Sequence, residues 1–321
     1  MPDSFLTVVA ENEDVETKPG FNSTYIARVM SRYQSPQVRP GNRPYTTMNS
    51  EDGALVLNTK DMSYRPTRGE CVKCGRTGVS ASHISLCSGI TGGEDHEAGV
   101  SYDAGPEWEV QPIPNGSDRE IGYIVGPSGS GKTVFMVSYI IEYMSMHEDR
   151  GVFIFTGVDA KDPAYEPIMR DPLMGARTTF AALDSSLIDK DLKADEFQEC
   201  LVVFDDTSAV MDKKVKEKID GFMARLCDVG RHHGTTVVVT NHLECEFNNK
   251  FLKKVVTEAH FITTFPAHNS ETGLNRLLTT WCGLSKRDVA RIKDLGQSSR
   301  WVYLRKSGVK YLLSSRGGYI I

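Results

Sequence analysis

Long apolar runs are missing from this sequence: no stretch approaches the roughly 20 uninterrupted apolar residues that a membrane helix needs. The N-terminal segment MPDSFLTVVAENEDVETK also lacks the basic and apolar regions of a signal peptide. Positive charge is not in excess, because 37 Lys and Arg residues stand against 42 Asp and Glu residues. We therefore expect an intracellular protein without a membrane segment. Any grip on nucleic acid would come from local basic patches rather than from the whole surface.

Cysteine is infrequent, and its count of seven is odd. Four cysteines stand singly in apolar or helical segments, namely Cys200, Cys227, Cys245 and Cys282. This pattern favours reduced thiols in a reducing compartment. The length of 321 residues and the hydrophobic content of 40% are sufficient for one large soluble domain or two ordinary ones.

The chain divides into three parts by composition. Residues 1–70 hold few periodic apolar segments, and the run SRYQSPQVRPGNRPYTTMNSEDG combines three prolines and two glycines with polar groups. Such a segment buries too little surface to offset its ordering entropy, so we expect a flexible N-terminal extension. Residues 71–104 contain a Cys/His cluster and a Gly/Pro/acid-rich linker, and the main domain follows at 105–321.

Apolar runs alternate with helical patterns in the main domain. The runs are IGYIV, VFIF, LVVF, TVVVT, FITTF, WVYL and KYLL. Strands separated by helices predict an α/β fold, with a largely parallel sheet and flanking helices.

Three helices can be read from their spacing and caps. The stripe Val215, Ile219, Phe222 and Leu226 lies on one helix face, and Gly230 follows as a stop. A second stripe consists of Leu274, Leu277, Leu278 and Trp281. Ser285 and Asp288 resemble a capping box that opens a third helix, which Gly296 would close.

A phosphate-binding loop (P-loop) follows the IGYIV run. The pattern G-x-x-x-x-G-K-[ST] is matched by Gly126, Pro127, Ser128, Gly129, Ser130, Gly131, Lys132 and Thr133. The glycines let backbone N–H groups approach the β-phosphate of ATP, and the following helix adds its N-terminal partial charge. Lys132 is predicted to contact the β- and γ-phosphate oxygens, and the Thr133 hydroxyl to bind Mg²⁺.

Two carboxylates end the LVVF run about seventy residues later. Asp205 is predicted to hold Mg²⁺ through water, and Asp206 to orient and deprotonate the attacking water. Both residues could instead cap the loop before Thr207. The TVVVT run ends at Asn241, which is a candidate sensor of the γ-phosphate or simply the start of a turn.

The cysteine cluster reads C-x2-C-x8-H-x3-C. Its members Cys71, Cys74, His83 and Cys87 could surround one Zn²⁺ tetrahedrally, which would make a structural site with no open position. A redox pair and unliganded thiols are the alternatives.

From about residue 120 to the C-terminus the sequence resembles one family. It is similar to the genome-packaging ATPases of large double-stranded DNA viruses of poxvirus and giant-virus type, a viral branch of the FtsK/HerA-like P-loop motors. The segments that carry the resemblance are GPSGSGKT, VFIFTGVDAKDPAY, LVVFDD, GRHHGTTVVVTNHL, FPAHNSETGLNRLLTTWCGLSKRD and SRWVYLRKSGVKYLL. One departure concerns the sensor, since Thr240-Asn241 stands where glutamine is common in the wider class.

The resemblance implies a P-loop NTPase of the RecA-like (ASCE) type that forms a ring, commonly a hexamer. ATP would be hydrolysed between neighbouring subunits to pump double-stranded DNA into a preformed capsid. The implied partners are DNA, further copies of the chain, and a capsid or portal-vertex protein. The implied location is the host cytoplasm or a viral factory, with association with the virion as a further option.

A motor of this kind needs an arginine that reaches a neighbour's nucleotide and neutralises charge on the transferred phosphoryl group. The candidates are Arg225, Arg231 and Arg300, and we favour Arg231. Two other functions fit the same motifs. One is a cellular or plasmid DNA translocase or helicase, and the other is a nucleotide-dependent switch with little turnover, which DNA would not stimulate.

Overall fold

The computed structural model describes most of the chain. It covers residues 4–10, 20–31, 53–65, 69–71, 77–80, 82, 101–105, 107–116, 119–157, 162–242 and 250–321. These residues form two compact units. The first unit contains strands β1–β5, β13 and β14, and the second contains strands β6–β12 with the helices described below.

The first unit contains two sets of antiparallel strands. One is a sheet with the order β1-β3-β2-β5, and in the other β14 pairs with both β13 and β4. The strands are β1 (Ser4–Ala10), β2 (Phe21–Ser31), β3 (Gly53–Lys60), β4 (Ser101–Asp103), β5 (Trp108–Pro112), β13 (Tyr311–Ser314) and β14 (Gly317–Ile320).

This unit differs from the flexible extension that the sequence predicts over residues 1–70. Three strands lie within that range, and side chains such as Leu6, Ile26 and Leu55 are buried. The strands are stabilised by partners distant in sequence, since β2 pairs with β5. The unit also includes strands that we had assigned to a main domain over 105–321. Composition does not reveal pairing of this kind.

The second unit is built on a mostly parallel sheet, as predicted. Its strand order is β12-β11-β6-β10-β9-β7-β8, and all neighbours are parallel except β11 and β12. The strands are β6 (Ile121–Val125), β7 (Val152–Thr156), β8 (Thr178–Ala182), β9 (Leu201–Asp205), β10 (Thr236–Asn241), β11 (Phe261–Thr264) and β12 (Val302–Arg305). The central strands β6, β9 and β10 are buried throughout, which explains their continuous apolar runs.

The helices connect these strands. They are α1 (Lys132–Met146), α2 (Glu166–Arg170), α3 (Pro172–Ala176), α4 (Lys213–Val229), α5 (Lys250–Glu258), α6 (Glu271–Arg276) and α7 (Lys286–Ser298). A π-helical turn, Leu277–Trp281, continues α6. Short 3₁₀ turns occur at Pro163–Tyr165, Ser185–Leu187, Ala194–Glu196, Thr207–Ala209 and Gly230–His233. No helix among the described residues is long and apolar enough to cross a membrane.

The three predicted helices are confirmed, with changes at two ends. The predicted stripe of α4 is buried, and the capping box of Ser285 and Asp288 is present. Gly230 ends α4 but keeps a right-handed conformation, and a 3₁₀ turn continues to the left-handed Gly234. Gly296 does not close α7, which runs to Ser298. This interior position is occupied by glycine because a Cβ there would come within 2.5 Å of Pro266.

Candidate functional site

The parallel strands bring four chain segments to one edge of the sheet. Val125 at the end of β6 is in register with Asn241 of β10 and with Thr264 of β11. Strand β9 ends at Asp205 on the other side of β10. The carboxyl ends of β6, β10 and β9 therefore lie side by side, which is where ligands bind to open α/β sheets.

The P-loop connects β6 to α1 in a conformation that favours glycine at three positions, one of which is Gly129 with a φ of 74°. A Cβ on Gly126 would lie 2.8 Å from the Ser130 Oγ and 2.8 Å from the Phe265 ring. Gly131 has a φ of 106°, in the left-handed region, and immediately precedes α1. The Gly126 N–H donates to the Asn241 carbonyl at 3.1 Å, which ties the loop to the neighbouring strand.

Lys132 is the first residue of α1, and only 7% of it is exposed. Its Nζ donates to the Pro127 carbonyl at 3.2 Å. Burial lowers the pKa of this ammonium, and the nearby Asp206 and Asp205 oppose that shift. Thr133, the predicted magnesium ligand, follows on the same helix and is half-buried.

Asp205 is buried, and each of its carboxylate oxygens accepts a hydrogen bond. Oδ2 accepts from the Tyr165 hydroxyl at 2.5 Å, and Oδ1 accepts from the Thr240 hydroxyl at 2.6 Å. Burial raises the pKa of Asp205, and these two hydrogen bonds act against the rise. The two donors fix the carboxylate at the edge of the sheet.

Asp206 follows the last residue of β9 and is half-buried. Its φ and ψ of 51° and 48° are left-handed, which is uncommon for a residue other than glycine and is a feature of functional turns. The Asp206 N–H donates to the Thr240 Oγ1 at 2.9 Å, so one hydroxyl bridges both acidic residues. Its Oδ1 accepts from Ser208 Oγ at 2.8 Å and lies 3.2 Å from His242 Nε2.

Polar atoms without partners lie in this region. Asn241 is completely buried, and its Oδ1 accepts from the His242 N–H at 2.8 Å. Its Nδ2 and the buried Ser130 Oγ have no hydrogen-bond partner among the described residues. Buried polar atoms of this kind are usually satisfied, so a missing polar ligand is the simplest explanation. A phosphate group in the P-loop fits that description, since its oxygens accept hydrogen bonds.

Three residues of this edge cannot be assigned from sequence spacing. Tyr165 and Thr240 both contact Asp205, which is distant from them in sequence. His242 follows the end of β10 and lies beside Asp206. Tyr165 belongs to the DPAY turn, in which Asp162 Oδ1 accepts from the Ala164 N–H at 2.8 Å. That turn is a sequence signal, but its contact with Asp205 is visible only in the fold.

The remaining predicted site residues lie elsewhere. Arg231 is exposed in the 3₁₀ turn before β10, and so lies at the sheet edge opposite the P-loop. Cys71 is buried, while Cys74, His83 and Cys87 lie outside the described residues. Within the described part of the chain, no group of three or more metal-binding side chains is present.

Comparisons with known proteins give one curated relative and several structures. No protein-family model matches the chain. A relative from Sputnik virophage, called "Uncharacterized protein V3", is 26% identical over 224 residues, which are 70% of this chain and 86% of that protein.

The similar solved structures have low sequence identity to this chain. The genome packaging NTPase B204 from Sulfolobus turreted icosahedral virus 2, in complex with AMPPCP, is 14% identical, with 63% of this chain and 96% of that chain covered and a TM-score of 0.37. EssC (ATPases 2 and 3) from Geobacillus thermodenitrificans is 13% identical, with 67% and 41% covered and a TM-score of 0.41. VirB4 of Thermoanaerobacter pseudethanolicus is 10% identical, with 65% and 90% covered and a TM-score of 0.39.

Proposed function

We propose that the chain is an ATP-hydrolysing motor of the RecA-like type that moves viral double-stranded DNA into a capsid. The observation that carries the ATPase part is the meeting of the P-loop with Asp205 and Asp206 at one sheet edge, with β10 between their strands. The packaging part is supported by the sequence resemblance described above. The virophage origin of the relative agrees with a viral role.

The side chains at this edge suit a nucleotide with Mg²⁺. The unpartnered Ser130 Oγ and Asn241 Nδ2, and the space that a Cβ on Gly126 would fill, fit a bound triphosphate. The Thr133 hydroxyl and the Asp205 carboxylate would hold Mg²⁺, the latter through water. When bound, this ion neutralises charge on the β- and γ-phosphate oxygens. Lys132 adds its own positive charge to the same oxygens.

Asp206 is the base in this proposal. Its contacts with Ser208 and His242 both involve Oδ1, so Oδ2 is the atom that would accept a proton from water. The water oxygen bonds to the γ-phosphorus as its proton passes to Asp206, and the bond to the ADP oxygen breaks. Lys132 stabilises the negative charge that moves onto ADP.

The proposed assembly is a ring, commonly a hexamer, in which Arg231 of one subunit meets the nucleotide of the next. An exposed arginine on the edge away from its own P-loop is compatible with such a role. Double-stranded DNA would pass through the ring, and a capsid or portal-vertex protein would anchor it. We expect this activity in the host cytoplasm or in a viral factory, with association with the virion as a further option.

The test compares ATP hydrolysis by wild-type protein, Lys132→Ala and Lys214→Ala, with and without double-stranded DNA. Lys132→Ala should lose hydrolysis and most nucleotide affinity, because it removes the charge at the phosphates. Lys214 is an exposed lysine on α4, so its variant should behave like wild type. Hydrolysis that Lys132→Ala retains in full would refute the site.

DNA separates the proposed motor from a P-loop switch, because a switch has no reason to respond to it. Stimulation by double-stranded DNA is expected, and a rate that ignores DNA would favour the switch. A translocase or helicase of the same fold would also respond to DNA. Packaging of DNA into purified empty capsids, measured by nuclease protection, would distinguish the motor from those enzymes.

We also propose that Cys71, Cys74, His83 and Cys87 bind one structural Zn²⁺, on the basis of their spacing. Elemental analysis of protein prepared without chelator should give about one zinc per chain. Chelation should remove the protease resistance of that segment. Protein without bound metal would rule the site out.

A further inference from the structure

Arg300 contacts the P-loop of its own chain from the far end of the sequence. Its Nε donates to the Ser130 carbonyl and its Nη2 to the Gly129 carbonyl, both at 2.7 Å. The guanidinium therefore bridges two successive carbonyls of the loop. A Cβ on Gly131 would lie only 3.1 Å from Nε, so the glycine also makes room for this contact.

The segment that carries Arg300 is held on both sides. The buried Ser299 closes the end of α7 by donating its N–H to the Leu295 carbonyl at 2.9 Å. The Ser299 hydroxyl donates to the Trp301 carbonyl at 2.6 Å. The Trp301 ring packs edge-on against Phe135 of α1, with centroids 5.1 Å apart. Arg300 thus projects from a short, anchored connection rather than from a free loop.

These hydrogen bonds orient the peptide groups of the P-loop. In a trans peptide the carbonyl and the N–H point in opposite directions. Because the Ser130 carbonyl points toward Arg300, the Gly131 N–H of the same peptide points away from the guanidinium. In a P-loop, that direction is the one from which phosphate oxygens accept hydrogen bonds. The Gly129 carbonyl is fixed in the same manner, while the Ser130 N–H turns to the Pro127 carbonyl at 3.2 Å.

We propose that Arg300 is a positioning residue of the nucleotide site, acting within its own subunit through the P-loop backbone. This inference rests on the proposed nucleotide-binding function. It assigns to Arg300 a role other than that of a finger reaching into a neighbour. The guanidinium holds the P-loop in its binding conformation before nucleotide binds. Its loss therefore weakens the binding of every nucleotide whose phosphates contact the P-loop.

Binding of fluorescent ADP measures this role directly. Arg300→Ala should weaken ADP binding by about 10-fold, the order expected when two charge-assisted hydrogen bonds at a partly exposed site are lost. Arg300→Lys keeps the charge but lacks the planar guanidinium, so its affinity for ADP should lie between those of wild type and Arg300→Ala. Arg287→Ala, at an exposed arginine of α7, serves as the matched control and should bind like wild type. Thermal unfolding without nucleotide identifies any variant that fails to fold.

Kinetics give a second readout that a purely structural residue would not move. Arg300→Ala should raise the KM for ATP more than it lowers kcat, because the P-loop binds the phosphates in the ground state and in the transition state alike. In an equal mixture of Arg300→Ala and Lys132→Ala subunits, no subunit has both an intact lysine and an intact arginine. At ATP concentrations below the raised KM, the mixture should therefore be no faster than its Arg300→Ala subunits are alone.

Two results would overturn the inference. One is wild-type ADP affinity in folded Arg300→Ala, and the other is a rate in the mixture above that of its Arg300→Ala subunits alone, which would mean that Arg300 acts between subunits. Failure of the proposed function looks different. Wild-type protein that binds ADP but does not hydrolyse ATP would refute the ATPase, while the ADP affinities would still decide the role of Arg300.

Discussion

The buried carboxylate of Asp205 lowers the stability of the fold, although the proposed Mg²⁺ site needs it. Asp205 is held between Tyr165 and Thr240, and burial raises its pKa above the ordinary 3.8. In the pH range between the ordinary and the raised pKa, the folded state therefore binds this proton more tightly than the unfolded chain does. Between the ordinary and the raised pKa, the free energy of unfolding falls as pH rises. At neutral pH this residue makes the protein less stable than a neutral side chain would.

Asp205→Asn should therefore stabilise the nucleotide-free protein while abolishing hydrolysis. The amide has nearly the same shape and carries no buried charge, so we expect Tm to rise by about 2–4 °C at pH 7, the scale of about 1 kcal/mol. The gain over wild type should shrink as pH is lowered toward the ordinary pKa of aspartate. Calorimetry between pH 5 and 8 tests this. A variant less stable than wild type at every pH would mean that the two hydrogen bonds outweigh the desolvation.

Asp206 offers a cleaner test of mechanism, because it is half-buried and contacts His242 and Ser208 through one oxygen. Asp206→Asn should leave ATP bound and slow its cleavage by roughly two to four orders of magnitude, the scale of a general base. Single-turnover hydrolysis with saturating protein isolates this step from binding. Asp189→Asn, at an exposed aspartate, is the control. An unchanged cleavage rate would move the base to another residue.

Individual residues differ in how well the sequence predicts them. Lys132, Asp205 and Asp206 follow from local motifs, and the fold brings them to one edge. The end of β10 was ambiguous because two polar residues stand together there. Thr240 contacts both acidic residues, whereas Asn241 is buried beside the P-loop. The contacts of Tyr165 and Arg300 span 40 and 170 residues, so no local pattern contains them.

At the scale of elements, continuous apolar runs were the reliable signal. All seven predicted strands exist, because a strand buried on both faces must be apolar along its length. Strand β8, with the sequence TTFAA, was missed. Because β8 is the outermost strand of the sheet, its side chains are half-buried or exposed, and its apolar pattern in the sequence is weak. The strands β1–β3 were missed because the polar composition around them outweighed their short apolar segments.

Two helical glycines give a prediction about packing. Gly296 lies in α7, where an added Cβ would meet the Pro266 ring at 2.5 Å, whereas a Cβ on Gly221 in α4 would have no described atom within 4 Å apart from its own helix backbone. Gly296→Ala should lower the free energy of unfolding by about 1–3 kcal/mol through overpacking. Gly221→Ala should raise it by up to about 1 kcal/mol through helix propensity. Urea denaturation of both variants tests this, and equal effects would show that Pro266 moves aside easily.

At the scale of the whole molecule, the proposed motor should depend on assembly and on DNA. Activity per subunit should rise with protein concentration as rings form. Double-stranded DNA should stimulate it more at low salt than at high salt, because an acidic protein binds DNA through a few local cations that displace counterions. Measurement of ATPase rate against concentration, DNA and salt tests this. A rate independent of concentration and DNA would end the motor proposal.

The arginine between subunits can be identified by mixing. In an equal mixture with Lys132→Ala subunits, Arg231→Ala subunits should recover turnover, because the Lys132→Ala subunit supplies Arg231 to the intact phosphate site of its neighbour. The ATPase rate of the mixture is compared with that of each variant alone at constant total protein. Arg225→Ala, also at an exposed arginine, is the matched comparison. No recovery of turnover would argue against Arg231, and recovery with an inactive Arg225→Ala variant would transfer the role to that residue.

The contact between Arg300 and the P-loop also has a consequence for the order of events during synthesis. The P-loop is translated first, and the side chain that orients it lies 170 residues later. At typical elongation rates, the ribosome needs roughly 10–30 s to add that length of chain. During this interval the nascent chain carries the nucleotide motif without its orienting guanidinium. Tight binding of cellular ATP would therefore begin only after Arg300 has been translated and has reached the P-loop.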